Sequence, residues 1–159
     1  MNRREFSAGT ACTLLVAGMG LPSLAWAQKK PEDGSDYKSL DKRAATEAPA
    51  GKVEVVEFFW YSCPHCNAFE PQLEAWQKKL PADVVLKRVP VAFRDDFVPQ
   101  QRLFYTLEAM GKLEDMHRKV FQAIHADKQL MNREDLILAW AEKNGLDKAK
   151  FQEVYNSFS

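Results

Sequence analysis

Two cysteines separated by two residues are the part of this 159-residue sequence best suited to chemistry. Cys63 and Cys66 enclose Pro64 and His65, a spacing at which two sulfurs can form a disulfide or share a metal ion. The thiolate, rather than the thiol, is the reactive form of cysteine. Cys63 is therefore the expected nucleophile, and Cys66 is the expected resolving partner that closes the disulfide.

The flanking sequence predicts that this motif lies between a strand and a helix. Residues 53–60 form a nearly continuous run of β-branched and aromatic side chains, which predicts a central strand covered on both faces. Apolar residues then recur at three- and four-residue spacing, which predicts a helix, at Phe69, Leu73, Trp76 and Leu80. The first helical turn is expected to begin at about Cys63.

A helix that begins at Cys63 would favour the thiolate of that residue. The N-terminus of a helix presents unpaired N–H groups and the positive end of the helix dipole. Pro64 suits the first turn because its missing N–H would have no partner there, and His65 adds a second polarisable or cationic group. A low pKa at the first cysteine also stabilises the reduced pair, which makes the disulfide form an oxidant.

Other uses of the motif fit the residues less well. A zinc site needs two further ligands, and after Cys66 the sequence offers only His117 and His125 on a predicted helix. Haem attachment needs a histidine directly after the second cysteine, where Asn67 stands. A purely structural disulfide would be strained at the start of a helix. The sequence therefore predicts thiol chemistry without a metal or another cofactor.

The first 27 residues predict an export signal that is cleaved after Ala27. Arg3 and Arg4 precede an apolar segment, and residues 25–27 match an A-x-A cleavage site. Residues 3–6 are similar to a twin-arginine signal, and Sec export remains the alternative. Cys12 would be removed with the signal, so the exported protein would keep only the two motif cysteines, in a compartment where disulfides persist. The 22 basic and 22 acidic residues give no electrostatic reason to expect nucleic-acid binding.

The motif and its surroundings resemble one known family closely. Residues 57–66, with Pro-His between the cysteines, are similar to the active-site segment of the DsbA-type thiol:disulfide oxidoreductases, thioredoxin-fold proteins of the bacterial periplasm. The similarity covers roughly residues 37–159, and its further matching segments are residues 69–71, 88–90, 104–111, 120–125 and 155–158.

The resemblance implies an α/β protein with a thioredoxin-like fold and an inserted all-helical domain. It also implies an enzyme of the periplasm, a thiol:disulfide oxidoreductase that donates its Cys63–Cys66 disulfide to reduced, unfolded exported proteins. Re-oxidation by a DsbB-like membrane quinone reductase and a monomeric state are further expectations. A disulfide reductase or isomerase, and a non-catalytic redox or binding module, remain alternatives.

Glu57 lies in an otherwise apolar strand and has two interpretations. Its side chain could reach solvent at an edge, or it could be a partly buried carboxyl group with a raised pKa that moves protons for Cys66. The family has an acidic residue at the matching position, and the resemblance therefore implies the second role. Glu70 and Lys87 also match charged positions near the family's active site.

The rest of the chain divides into a flexible segment at 28–50, the first part of a thioredoxin-like domain at 51–95, and an inserted helical domain at 96–159. Residues 37–40 are predicted to pair as an edge strand, and residues 84–91 are predicted to form a second central strand. Pro71 is predicted to kink the first helix. Four further helices are predicted at 100–110, 113–126, 132–143 and 147–158, with Asn132 and Asp147 as the caps of the last two.

Family members continue beyond the inserted helices with a cis-proline loop, two strands and a final helix. This sequence has no proline after Pro99 and ends at Ser159. We therefore expect a C-terminally truncated domain whose sheet exposes an apolar edge. His117 and His125 are expected at the surface or edge of the helical core without a chemical role. Phe93, Phe97 and Phe104 are expected in the core, and the alternative is an apolar surface near the motif that receives unfolded substrate chains.

Overall fold

The computed structural model describes residues 29–157, so the predicted export signal and its cleavage site lie outside the described residues. Residues 29–44 and 45–157 belong to separate compact units. The elements of the second unit are β1 (Val53–Phe59), α1 (Pro64–Gln77), β2 (Val84–Pro90), a short 3-10 turn (Asp95–Phe97), α2 (Val98–Ala109), α3 (Leu113–His125), α4 (Glu134–Lys143) and α5 (Lys148–Tyr155). No helix in the described part of the chain is long and apolar enough to cross a membrane.

The unit at residues 29–44 contains a single isolated bridge, between Asp33 and Tyr37. Residues 38–40 are not in a strand, so the predicted edge strand at 37–40 is wrong. The local sequence explains the difference. Tyr37 and Leu40 are three residues apart rather than two, so they cannot share one face of a strand, and both are exposed.

Strands β1 and β2 pair in parallel, with Val53 opposite Val84 and Phe59 opposite Pro90. Helix α1 connects them, so the three elements form the predicted βαβ unit. Only one face of β1 is well covered among residues 45–157: Phe59 is buried, whereas Phe58 is 68% exposed. Neighbouring side chains of a strand point to opposite faces, so Phe58 lies on the face opposite to that of Phe59. The expectation that β1 is covered on both faces is therefore wrong at Phe58.

Helix α1 is one continuous element that contains Pro71 and ends at Gln77. Proline lacks an N–H group and so removes one hydrogen bond from the helix, but here it does not end it. Helix α4 begins after Arg133 instead of Asn132, whereas Asp147 caps α5 as predicted. Gly111 and Gly145 follow α2 and α4 with φ values of +64° and +81°, the left-handed conformation in which glycine is least strained.

One hydrophobic core joins the end of β1 to the helices. Phe59 and Tyr61 pack edge to face, with ring centroids 5.1 Å apart, and Phe104 of α2 lies 5.4 Å from Phe59. The buried residues that helices α2 to α5 contribute include Leu103, Leu107, Val120, Phe121, Ile137, Trp140 and Phe151. The segment between β1 and α1 is therefore packed against the helical region. Phe93 is 82% exposed, which contradicts its predicted core position.

The cap of α5 allows a direct test of one local interaction. The Asp147 carboxylate accepts a hydrogen bond of 2.8 Å from the backbone N–H of Lys150. We expect Asp147→Ala to lower the free energy of unfolding by about 1 kcal/mol, since an orphaned N–H group at a helix start loses its partner. Urea denaturation of Asp147→Asn, which keeps the acceptor oxygen, should show a much smaller loss. Equal loss in the two variants would contradict a capping role.

Candidate active site

Cys63 is the N-cap residue of α1. Strand β1 ends at Phe59, and a tight turn follows in which the backbone N–H of Cys63 donates to the carbonyl oxygen of Trp60 over 3.0 Å. Cys63 has an extended backbone (φ −75°, ψ 118°), and its sulfur accepts a hydrogen bond from the backbone N–H of Cys66 at 3.4 Å. The structure describes both cysteines as free thiols. The predicted strand-to-helix position of the motif is therefore confirmed.

The two cysteine thiols differ in pKa because their surroundings differ. Burial raises the pKa of Cys63, but hydrogen bonds from the backbone and thiol of Cys66 and from the backbone of His65 outweigh burial and lower that pKa overall. Burial raises the pKa of Cys66 to about 11, and the charges of Cys63 and Glu57 add to the increase. Near neutral pH, Cys63 is therefore the better source of a thiolate, while Cys66 stays protonated.

Pro64 and His65 occupy the first turn of α1, and both are exposed. Pro64 stands where a backbone N–H would have no partner within the helix. The backbone of His65 contributes to the stabilisation of the Cys63 thiolate. These placements agree with the sequence-based expectation for the two residues, and their part in a reaction stays a prediction.

Glu57 lies on the same face of β1 as Phe59, and its side chain is only 12% exposed. Burial and the negative charge of Glu70 raise its pKa, while the guanidinium group of Arg88, 3.1 Å away, opposes the increase. Of the two interpretations of Glu57, the partly buried carboxyl group fits this environment. A proton-transfer role beside Cys66 stays a prediction.

A buried ionic network lies behind Glu57. Glu70 of α1 is 1% exposed, and its Oε1 atom lies 2.6 Å from a terminal nitrogen of Arg88 and 3.4 Å from Nε2 of His117. Burial alone would raise the pKa of Glu70, but His117 and Arg88 together lower it. Arg88 thus bridges Glu57 and Glu70. Lys87 contacts Glu47 at the surface instead of joining this network.

Three polar residues of the helical region bind the turn that leads to Cys63. His117 Nδ1 lies 2.9 Å from the Tyr61 hydroxyl, and His125 Nε2 lies 2.8 Å from the Tyr61 carbonyl oxygen. Gln100 accepts from the Ser62 N–H at 3.2 Å and donates to the Ser62 hydroxyl at 2.6 Å. The sequence alone indicates no role for His117 and His125. Their eight-residue spacing placed them on one helical face, but nothing in that pattern identified Tyr61 as their partner.

An aromatic stack supports the same turn from another side. The ring of Trp60 stacks on Phe97, with centroids 3.7 Å apart and ring planes 8° apart. The guanidinium group of Arg94 lies over the Phe97 ring, 5.0 Å from its centroid. Residues 29–157 contain no group of three or more histidine, cysteine or acidic residues arranged to hold a metal ion.

Comparison with known proteins agrees with this geometry. The DSBA-like thioredoxin domain family matches residues 85–159. The thiol:disulfide interchange protein DsbA of Burkholderia cepacia is 46% identical over 145 residues, which cover 91% of this chain and 66% of that protein. The protein of the same name from Bordetella pertussis is 41% identical, with 92% of this chain and 69% of that protein covered. The chain belongs to the DsbA family. It spans about two thirds of the length of these curated relatives.

Solved structures support the same assignment of the fold. Pseudomonas aeruginosa DsbA is 43% identical, with a TM-score of 0.69 over 75% of this chain and 62% of that one. The oxidoreductase NmDsbA1 of Neisseria meningitidis is 27% identical, with a TM-score of 0.68 over 80% of this chain. The predicted thioredoxin-like α/β fold with a helical insertion is therefore confirmed. An alignment over 91% of the chain also has to include residues 57–66, so the family assignment extends across the cysteine motif.

The buried ionic network predicts that Glu70 makes a large and pH-dependent contribution to the free energy of unfolding. We expect Glu70→Gln to lower the free energy of unfolding at neutral pH by about 3 kcal/mol, because the largely buried guanidinium group of Arg88 loses its shorter ion pair and keeps only Glu57 as a charged partner. The folded-state pKa of Glu70 lies below its ordinary value of 4.5. Its stabilising contribution is therefore present above pH 4.5 and is lost as the pH falls through the folded-state pKa. The variant should lack this part of the acid-induced loss of stability.

Glu74→Gln is the matched control, one turn later on the same helix. Glu74 pairs with Arg118 at 3.3 Å, but the side chains are 31% and 54% exposed. Its loss should therefore cost less than about 1 kcal/mol. Denaturant titrations of both variants across a pH series provide the measurement, and equal effects would show that the Glu70 network does not carry the expected stability.

Proposed function

We propose that this chain carries the disulfide-donating centre of a thiol:disulfide oxidoreductase that acts on reduced exported proteins. The observation that supports this most directly is the placement of Cys63 at the N-cap of α1, with the N–H of Cys66 donating to its sulfur. The names of the relatives point to the same chemistry, since they are thiol:disulfide interchange proteins.

In the proposed reaction, a substrate thiolate attacks the sulfur of Cys63 in the disulfide form. The Cys63–Cys66 bond breaks, a mixed disulfide forms between the substrate and Cys63, and Cys66 leaves and takes up a proton. A second substrate thiolate then attacks the substrate sulfur of the mixed disulfide and releases Cys63 as a thiolate. Two substrate thiols become one disulfide, the protein gains two electrons, and one of the two substrate protons goes to solvent.

The acidities of the two cysteines favour this direction of transfer. A thiol of low pKa is a good leaving group, so the last step releases Cys63 readily. The high pKa of Cys66, about 11, keeps the second cysteine protonated after the first step. A stabilised Cys63 thiolate lowers the free energy of the reduced protein, which makes the disulfide form the stronger oxidant.

Glu57 is proposed as the group that exchanges a proton with Cys66. Its carboxyl group is within electrostatic range of Cys66, since its charge contributes to the raised pKa of that thiol. Its own pKa is raised, which brings its titration closer to neutral pH and suits a proton carrier. His65 and Pro64 are proposed to favour the thiolate, His65 through its backbone N–H and an exposed polar ring, and Pro64 by starting the helix.

The setting of this activity is also proposed. An export signal cleaved after Ala27 would deliver the protein to the periplasm, where reduced exported polypeptides are the substrates. After each transfer, the dithiol has to lose two electrons again, and a DsbB-like membrane quinone reductase is the proposed acceptor. The proposed division is a thioredoxin-like part at 51–95 and a helical part at 96–159, in a monomer.

Single-cysteine variants test the order of the two sulfurs. The oxidised protein should transfer its disulfide to a reduced two-cysteine peptide, and Cys63→Ser should transfer none. Cys66→Ala, treated with oxidised glutathione, should accumulate a stable mixed disulfide on Cys63, because no second sulfur resolves it. Mass spectrometry of acid-quenched samples measures each species. Equal glutathione capture by Cys63→Ser, through Cys66, would overturn the assignment of the nucleophile.

Titration of the two thiols tests whether their pKa values make the disulfide form an oxidant. In Cys66→Ala, the thiolate absorbance should report a pKa for Cys63 below its ordinary value of 9.0. In Cys63→Ser it should report a pKa for Cys66 above 9.0, because burial, the largest cause of the increase, remains when Cys63 is removed. The lowered pKa of Cys63 contributes stability to the folded dithiol above pH 9.0, and this contribution is lost as the pH falls through the folded-state pKa. The raised pKa of Cys66 contributes stability below pH 9.0, which is lost as the pH rises towards about 11.

Compared with the disulfide form, the dithiol form should therefore be most stable near pH 9.0. Denaturation of the two forms across this range measures the difference. A Cys63 pKa at or above 9.0, together with a reduction potential as low as that of a reductase, would favour the reductase alternative.

A further inference from the structure

The two central residues of the turn at residues 60–63 are hydrogen-bonded to the helical region. Four polar groups of this turn have partners there: the hydroxyl and the carbonyl oxygen of Tyr61, and the N–H and hydroxyl of Ser62. The partners come from α2 and α3, two helices that follow the βαβ unit in sequence. The residue after Ser62 is Cys63, so any movement of this turn is passed directly to the reactive sulfur.

We propose that Gln100 and His125 are positioning residues that hold this turn so that the sulfur of Cys63 faces the N-terminus of α1. This inference rests on the proposed function, because the orientation of that sulfur matters to the reaction only if Cys63 exchanges disulfides. Neither residue touches the sulfur in the described contacts, so each acts through the turn.

Gln100 is suited to this role by its burial and its two-sided contact. Its side chain is 3% exposed, and it uses both ends of its amide group on Ser62. A buried amide without partners is costly, so the pairing with Ser62 is favoured over separation. Because two bonds reach one residue, they fix both the position and the rotation of Ser62, the residue that precedes Cys63.

His125 holds the other central residue through the backbone. A carbonyl oxygen only accepts hydrogen bonds, so Nε2 of His125 carries the proton that it donates to Tyr61. The ring of His125 stacks on Phe121, with centroids 6.0 Å apart, which limits its rotation. The direction of the donor is thus set by the packing of α3.

His117 supports the same arrangement from inside the core. It contacts the hydroxyl of Tyr61, and its ring lies 5.3 Å from those of both Phe59 and Phe121. Burial raises the pKa of Tyr61 well above its ordinary value of 10.0, so the phenol stays neutral and keeps its proton for hydrogen bonding. The helical insertion therefore acts on the motif through Tyr61 and Ser62, the two residues next to Cys63 in the turn.

The test compares Gln100→Met, His125→Leu and Ser62→Ala, each in the Cys66→Ala background so that one motif thiol titrates. Loss of positioning should weaken the hydrogen bonds to the Cys63 thiolate, so its pKa should rise towards 9.0. With both cysteines present, the equilibrium constant with glutathione should shift by about tenfold towards a weaker oxidant, the size expected when one hydrogen bond to a charged group is lost. Ser62→Ala, which removes one of the contacts, should shift less.

Two further variants separate positioning from general stability. His125→Gln carries an amide that can donate to the Tyr61 carbonyl, so it should restore most of the shift seen in His125→Leu. Ile137→Ala truncates a fully buried residue of α4, an element without a hydrogen bond to the turn in the described chain. It should lower the free energy of unfolding by about 2–5 kcal/mol while leaving the Cys63 titration unchanged.

The outcomes distinguish the proposed disulfide exchange from the positioning role of Gln100 and His125. If the unmodified chain neither exchanges disulfides nor shows a lowered Cys63 pKa, the proposed function fails. If it does both, but Gln100→Met, His125→Leu and Ser62→Ala leave the Cys63 pKa and the glutathione equilibrium unchanged, the positioning role is overturned. A shift in Ile137→Ala equal to that in His125→Leu would also overturn it, because general destabilisation would then explain the effect. Should Gln100→Met fail to fold, the comparison of His125→Leu with His125→Gln decides the same question.

Discussion

The hydrogen bond from the backbone N–H of Cys66 to the sulfur of Cys63 is the interaction on which the proposed chemistry depends. It exists because Cys63 occupies the N-cap of α1, where N–H groups have no partners within the helix. A sulfur in this position is stabilised as a thiolate. The strand, the turn and the helix all contribute to that placement. Strand β1 ends at Phe59, Pro64 begins α1, and the N–H of Asn67 closes the first helical turn on the carbonyl oxygen of Cys63.

The difference between the two cysteines arises from burial and hydrogen bonding together. Cys63 is near enough to the helix start for N–H groups to outweigh the effect of burial, whereas Cys66 lies one turn further along and packs against the hydrophobic core. Identical side chains thus acquire opposite shifts within four residues. This asymmetry fits an exchange reaction in which one sulfur is attacked and the other remains protonated.

The helical region does more than enlarge the hydrophobic core. Its buried residues enclose Phe59 and Tyr61, and its polar residues Gln100, His117 and His125 bind the turn that precedes the motif. The ionic network of Glu57, Arg88, Glu70 and His117 connects the strands, α1 and α3 in the same neighbourhood. Core packing and motif geometry are therefore properties of one continuous set of contacts.

The sequence alone determined the motif, the strand-to-helix junction and the order of the helices, because cysteine spacing, apolar periodicity and the cap at Asp147 are local properties. It also identified Glu57 as unusual, since a carboxyl group stood in an apolar run. Only the tertiary structure decided the exposure of Phe58 and Phe93, the pairing of Glu70 with Arg88, and the contacts of His117 and His125 with Tyr61. Those contacts join residues 56 and 64 positions apart, and periodicity reports which face of a helix a residue occupies but not which side chain it meets there.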